Sequence, residues 1–233
     1  MRRSFFIFAI FTLVLLAFAL YEALIAAPTE QTMGDVQRIF YYHVPSAATA
    51  FLLFAVNFVA SIVYLVRRSA RADAVAVTTA EVGVVFCTVV LVTGPLWARP
   101  VWGIWWTWDA RLTSTLLLWL IYVSYLILRR YSTSAQTPVL AAALAVFGFL
   151  DVPFVYLANR LFRTQHPQPV LLGGPGSGIA PKMLSTLLVN MAAFFAFATL
   201  VCWVRYRLER THQEFEETQA LEALLEPGMR SSR

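Results

Sequence analysis

The sequence predicts an all-α integral membrane protein: a six-transmembrane-helix bundle with both termini cytoplasmic and a tryptophan-rich outer loop. Three observations carry that prediction. Hydrophobic residues make up 59% of the 233 and charged residues only 13%, against roughly 25% charged in a soluble domain. Too little polar surface remains to cover a water-facing globule. Six stretches supply the run of about 20 mostly apolar residues that a bilayer crossing needs. The basic residues, finally, divide unevenly between the two sets of connecting segments.

The first span, about residues 4–27, follows Arg2-Arg3. Its apolar run exceeds the ~7–15 residues of a signal-peptide core, which favours a retained helix. Ala-x-Ala-like choices near Ala23–Ala27 leave cleavage open. The second span, about 46–66, opens behind Pro45, which favours an extended Val44 and suits a first helical turn. The third, about 75–96, ends at a tryptophan cluster, and the fourth, about 112–128, starts just after Asp109, a residue type preferred as a helix N-cap. The fifth, about 138–158, carries Ala141–Ala143 and the Asp151-Val152-Pro153 turn, and the sixth, about 183–204, carries Ala192-Ala193. Lipid offers no hydrophobic drive between helices, so these small residues are expected at helix contacts. Residues 1–207 are thus expected to form one membrane domain. Residues 208–233 are expected to form an acidic cytoplasmic tail, with Glu209, Glu214, Glu216, Glu217, Glu222 and Glu226 on a solvated helix.

Orientation follows from arginine. Arg2, Arg3, Arg67, Arg68, Arg71, Arg129, Arg130, Arg205, Arg207, Arg210, Arg230 and Arg233 lie on one side of the six spans. Arg38, Arg99, Arg111, Arg160, Arg163 and Lys182 lie on the other. The larger, tightly clustered set marks the cytoplasmic side. Outer loops are then expected at about 28–45, 97–111 and 159–182. The formal charge of +5 reads as a topology signal and not as a nucleic-acid footprint.

Two cysteines, Cys87 and Cys202, form no Cys-x-x-Cys, which excludes a thiol relay and a covalent c-type haem. Their different expected depths argue against a disulfide. No G-x-x-x-x-G-K-[ST] is present, which excludes a Walker-loop ATPase. The chemistry therefore rests on the outer loops. Of three histidines, His43 ends the first outer loop, His166 lies in the third, and His212 falls in the tail, where a solvated side chain is the plain reading. Five of the seven tryptophans fall within residues 97–108. An interfacial aromatic belt would spread over all helix ends. In a helical turn Trp102, Trp105 and Trp106 would share one face, continued by Trp108 and Asp109 into an aromatic floor. Asp109 as a simple cap remains compatible with that role.

Two outward imidazoles without a cysteine fall short of the three or four protein ligands zinc usually takes. Haem iron takes at most two axial ligands from the protein, and the porphyrin brings a flat apolar surface. Outward arginines are suited to its propionates. Surface haem binding is the ligand reading the chemistry favours.

The run Trp102-Gly103-Ile104-Trp105-Trp106-Thr107-Trp108-Asp109-Ala110-Arg111-Leu112-Thr113 resembles the WWD signature of the haem-handling proteins of cytochrome c biogenesis. With six spans and one flanking His on each side, the chain is most similar over residues 1–205 to the cytochrome c maturation protein C (haem exporter protein C) family. Phe40–Ala47 and Asp151-Val152-Pro153 add to the likeness; ahead of His166 the chain has Leu161-Phe162-Arg163 where some members carry Trp. The resemblance implies a multi-pass protein of the bacterial cytoplasmic (inner) membrane that holds non-covalent haem b on the outer face. His43 and His166 would be the axial pair. Trp102, Gly103, Trp105, Trp106, Trp108, Asp109 and Arg111 would form the platform. The implied partners are a membrane-tethered haem chaperone, a two-part ABC transporter (ATPase and membrane subunit) and a small single-span subunit. A non-enzymatic presenting subunit is the leading expectation. Its rivals are a haem-conducting permease using Asn57 and Glu81, and an intramembrane enzyme using Asp151 and Glu81.

Overall fold

The computed structural model describes residues 3–169 and 178–225. Arg2, Glu226, Arg230, Arg233 and residues 170–177 of the third expected outer loop lie outside the described residues. Among the described residues there are seven α-helices and no β-strand: α1 (Arg3–Tyr21), α2 (Phe40–Arg67), α3 (Ala70–Trp102), α4 (Ala110–Tyr131), α5 (Thr137–Phe149), α6 (Asp151–Leu161) and α7 (Pro181–Leu225). They make six segments long and apolar enough to cross a membrane, α5 and α6 together forming one. The chain is a multi-pass helical membrane protein.

The helix ends differ from the sequence expectation in an instructive way. α2 begins six residues early because a 3₁₀ turn, Asp35–Ile39, leads directly into it, and Val44 and Pro45 are helical. Proline's fixed φ fits a helix, and its cost is the missing N–H that would have met the Tyr41 carbonyl. α3 likewise runs through Pro95 and Pro100 as far as Trp102. It stops at Gly103, whose φ of +78° suits a residue without Cβ. The fifth span is broken at Leu150. Pro153 has no N–H for the Phe149 carbonyl, and Leu150 N instead donates to Phe147 O at 3.1 Å.

The core joins α2, α3 and α4. The rings of Phe54 and Tyr122 stack at 3.8 Å and 14°. A Cβ on Gly83 would come within 2.6 Å of Phe54 Cε1, so α3 needs glycine there for this close approach. Small residues do line the contacts: Ala50, Ala80, Ala141, Ala142, Ala145, Ala193 and Ala198 are buried. Ala143 and Ala192 face outward, because each residue turns the helix by about 100°. α1 leans on α7 through Asn190 Nδ2 donating to Ala19 O (3.3 Å) and Lys182 Nζ donating to Glu22 Oε2 (2.7 Å). Glu22 itself opens a single π-turn, Glu22–Ala26.

At the end of the bundle opposite His43, charges are paired and not simply solvated. Arg129 donates to both oxygens of Asp73 at 2.8 Å, and Gln213 Nε2 reaches Asp73 Oδ2 at 3.2 Å. Arg205 grips Glu81 with two nitrogens and reaches Glu209 Oε2 at 3.1 Å. α7 thereby continues unbroken past the last span, with Glu209 buried against α3 and α4 (9% exposed) and Glu214, Glu216, Glu217 and Glu222 exposed. Glu209 is thus not the solvated residue that was expected. Cys87 and Cys202 are both free thiols.

Orientation in the membrane can be tested by labelling. A Cys introduced at Gln168 should react with an impermeant maleimide added to intact cells, and one at Ser69 should be spared. The reverse pattern would turn the bundle over.

Candidate functional site

The site assembles where α2 begins, α3 and α6 end and α4 begins. His43 sits one turn into α2, and its Nδ1 lies 2.8 Å from Thr93 Oγ1 on α3. His166 stands on the segment after α6. Asn159 Nδ2 holds that segment by donating to the His166 carbonyl (3.0 Å) and the Pro167 carbonyl (2.7 Å). His166 N in turn donates to Thr164 Oγ1 at 2.9 Å. The two imidazole rings, 123 residues apart in the chain by number (166 − 43), come together with centroids 6.3 Å apart and planes 32° apart. Burial, and then the nearby Arg111 charge, pushes the His166 pKa down to about 3, so its imidazole is neutral at physiological pH.

Both rings line one cavity of about 280 Å³. Trp97, Trp102 and Trp106 wall it, Arg111 reaches it from the first turn of α4, and it runs down between the helices to Ala50, Cys87 and Met191. The indole rings of Trp97 and Trp102 meet edge to face at 5.2 Å and 87°. Trp106 meets Trp108 in the same manner at 5.8 Å and 73°. Two donors at this cavity, Trp106 Nε1 and Arg111 Nη1, are buried without a partner among the described residues. An unsatisfied buried donor costs about 1–3 kcal/mol, which makes this pair suited to an acceptor group brought by a ligand.

The expected floor on a single helical face does not form. α3 ends at Trp102, so residues 103–109 leave the helix. Trp102 and Trp106 turn to the cavity, whereas Trp105 and Trp108 are 56% and 76% exposed outside it. The Arg99 guanidinium lies over the Trp105 ring, 6.0 Å from its centroid. Asp109 caps α4, its Oδ1 accepting from Arg111 N and Leu112 N at 3.0 Å each, while Thr107 Oγ1 donates to Oδ2 at 2.9 Å. Gly103 and Asp109 do not line the cavity; Gly103 ends α3 through its left-handed backbone and Asp109 starts α4 through its carboxylate. Sequence reasoning missed Thr93, Trp97 and Asn159. Thr93 falls inside the expected third span, about 75–96, and Trp97, counted in the tryptophan cluster, follows one turn later on the same face, but nothing in the sequence says that this face meets His43. For Asn159 the sequence offers no signal.

Among the described residues no group of three or more His, Cys, Asp or Glu could hold a metal ion. Fold and site thus define a multi-pass helical membrane protein with a two-histidine, tryptophan-walled cavity at one end of its bundle. The chain belongs to the Heme exporter protein C family, whose family model matches residues 1–221. It is 35% identical over 191 residues to Heme exporter protein C of Bradyrhizobium diazoefficiens, covering 81% of this chain and 72% of that one. It is 33% identical over 209 residues to the protein of the same name from Haemophilus influenzae, covering 87% and 83%. The Escherichia coli K12 protein of that name matches at 32% over 187 residues, covering 78% and 73%. Membership implies a role in haem handling for cytochrome c maturation.

Proposed function

We propose that this protein holds haem b non-covalently on the outer face of the bacterial cytoplasmic membrane and presents it to a membrane-tethered haem chaperone. The observation that carries the reading is the His43–His166 pair, 6.3 Å apart at the mouth of a tryptophan-walled cavity. His43 and His166 would hold the haem iron, each through one neutral imidazole nitrogen. The residues also fit the rest of the group. Trp97, Trp102 and Trp106 offer apolar faces to a flat macrocycle, and the unpaired Trp106 Nε1 and Arg111 Nη1 offer donors to a propionate. When bound, haem would supply the iron and the conjugated plane. This chain's part is to ligate, to orient and to leave an edge accessible.

Trp105 and Trp108 lie outside the cavity and point the proposal toward transfer. They form the surface for the chaperone, and Asp109 holds that surface by starting α4 at a fixed place. The two-part ABC transporter and the small single-span subunit would complete the assembly and supply the energy of release. The permease reading finds its polar candidates engaged: Asn57 Nδ2 donates to Ala76 O at 2.7 Å, and Glu81 is held by Arg205. That ion pair also weighs against the Asp151/Glu81 enzyme reading, since it gives Glu81 a partner other than Asp151.

The experiment is co-expression with the chaperone, comparing haem retained by this protein with haem-stained chaperone adduct. In Trp105→Ala/Trp108→Ala the haem should stay, while the adduct falls about fivefold or more, from stacking contacts worth about 1–3 kcal/mol each. Asp109→Asn keeps the cap and tests whether the charge matters for transfer. A normal adduct in the tryptophan double variant would reduce Trp105 and Trp108 to an interfacial belt.

A further inference from the structure

We infer that Thr93 is a positioning residue that decides which nitrogen of His43 is offered to the iron. The inference rests on the haem reading above, but its central observation belongs to the haem-free protein. Thr93 Oγ1 lies 2.7 Å from the Val89 carbonyl on its own helix and 2.8 Å from His43 Nδ1. A carbonyl only accepts, and a threonine hydroxyl has one hydrogen to give. Two oxygens 2.7 Å apart need that hydrogen between them, so the Thr93 proton is spent on Val89. What Thr93 turns to His43 is a lone pair, and the imidazole must be the donor.

His43 therefore carries its proton on Nδ1, and its Nε2 is left with a free lone pair. Free histidine in water favours the opposite tautomer, with the proton on Nε2, so the preference has to be imposed. α3 imposes it at close range: a Cβ placed on the neighbouring Gly94 would lie 3.5 Å from His43 Cε1, which puts the imidazole directly against that helix. His166 reaches the same state by a different device. Its Nδ1 is 2.9 Å from the carbonyl of Pro167, an acceptor only. Both rings thus present Nε2, one fixed by a side chain on a transmembrane helix and the other by its own loop. A hydrogen bond of this kind to the far nitrogen also raises the ligand's basicity and holds its plane.

The test reads the tautomer first. Protein with ¹⁵N-labelled histidine, reconstituted in lipid without haem, is measured by magic-angle-spinning NMR, the His43 signals being assigned by their loss in His43→Gln. The expected result is an Nδ1–H, Nε2-unprotonated His43. Thr93→Val removes the hydroxyl at nearly constant shape and should release the ring to a mixture of tautomers. Thr93→Ser should restore the single state. Haem affinity should fall about 10–100-fold in Thr93→Val, the usual loss for an outer-shell partner, and recover in Thr93→Ser. An Nε2–H His43 in the unaltered protein overturns the inference, whether or not any variant folds. So does an unchanged single tautomer in Thr93→Val. If the tautomer behaves as expected while His43→Ala still binds haem with an unaltered spectrum, the haem reading fails and the lock stands.

Discussion

His43→Ala and His166→Ala should each abolish the six-coordinate, low-spin haem spectrum of the purified protein, and His212→Ala should leave it intact. The expectation follows from placement. His43 and His166 share one cavity with their rings 6.3 Å apart. His212 lies on the distal part of α7, exposed and 3.7 Å from Glu216 Oε1. In the ligation proposed above each variant would lose one iron–imidazole bond, so the fall in affinity should exceed the 10–100-fold typical of an outer-shell partner. Each single variant should shift the spectrum to a five-coordinate form or lose haem outright, and the double variant should retain none. Titration of haem into the purified variants, followed by absorbance, is the measurement. Equal affinity and an unshifted spectrum in both single variants would place the ligand elsewhere.

Arg129→Ala should lower the stability of the bundle by about 3–5 kcal/mol, the usual cost of leaving a buried charge without its partner. Arg129 forms a bidentate pair with Asp73, itself only 7% exposed, and lies 4.0 Å from the buried Glu209. Removing the guanidinium leaves the buried Asp73 carboxylate without its cation, while Glu209 keeps Arg205 at 3.1 Å. The double variant Arg129→Met/Asp73→Leu should recover much of the loss, because replacing both members of a buried pair by apolar groups is often neutral. Thermal unfolding in detergent reads both. Asp73 and Trp97 are separated by about 36 Å along α3 at 1.5 Å per residue. The haem spectrum of folded Arg129→Ala should therefore match the parent, which separates this stability effect from the loss of ligation above. A parent-like melting temperature in Arg129→Ala would mean the pair is solvated enough to be dispensable.

What was legible in the sequence was whatever depends on local composition. Six apolar runs must cross a bilayer because no other solvent accepts them, and the structure has six such segments. The two outward-loop histidines and the tryptophan cluster could be singled out because few chemistry-bearing residues compete with them in so apolar a chain. Asp109 could be read as a cap because capping is a contact between near neighbours, and its side chain accepts from the next turn.

The helix ends were not legible near Pro45 and Pro100. A proline breaks one hydrogen bond and so reads as a stop, but packing between α2 and α3 holds both helices through it. That difference matters for the site, since it puts His43 on a helix facing Thr93 and splits the tryptophans into a cavity wall and an exposed pair. The tail misled for a related reason. Glu209 carries the charge of a solvated residue, yet Arg129, distant in sequence, joins Arg205 of the preceding turn in pairing it at a buried position. Composition and spacing alone thus determined a membrane bundle with a candidate ligand set. Which residues meet was decided by tertiary packing, because the 6.3 Å between His43 and His166 depends on the mutual placement of α2, α3, α4 and α6, and no window of sequence contains it.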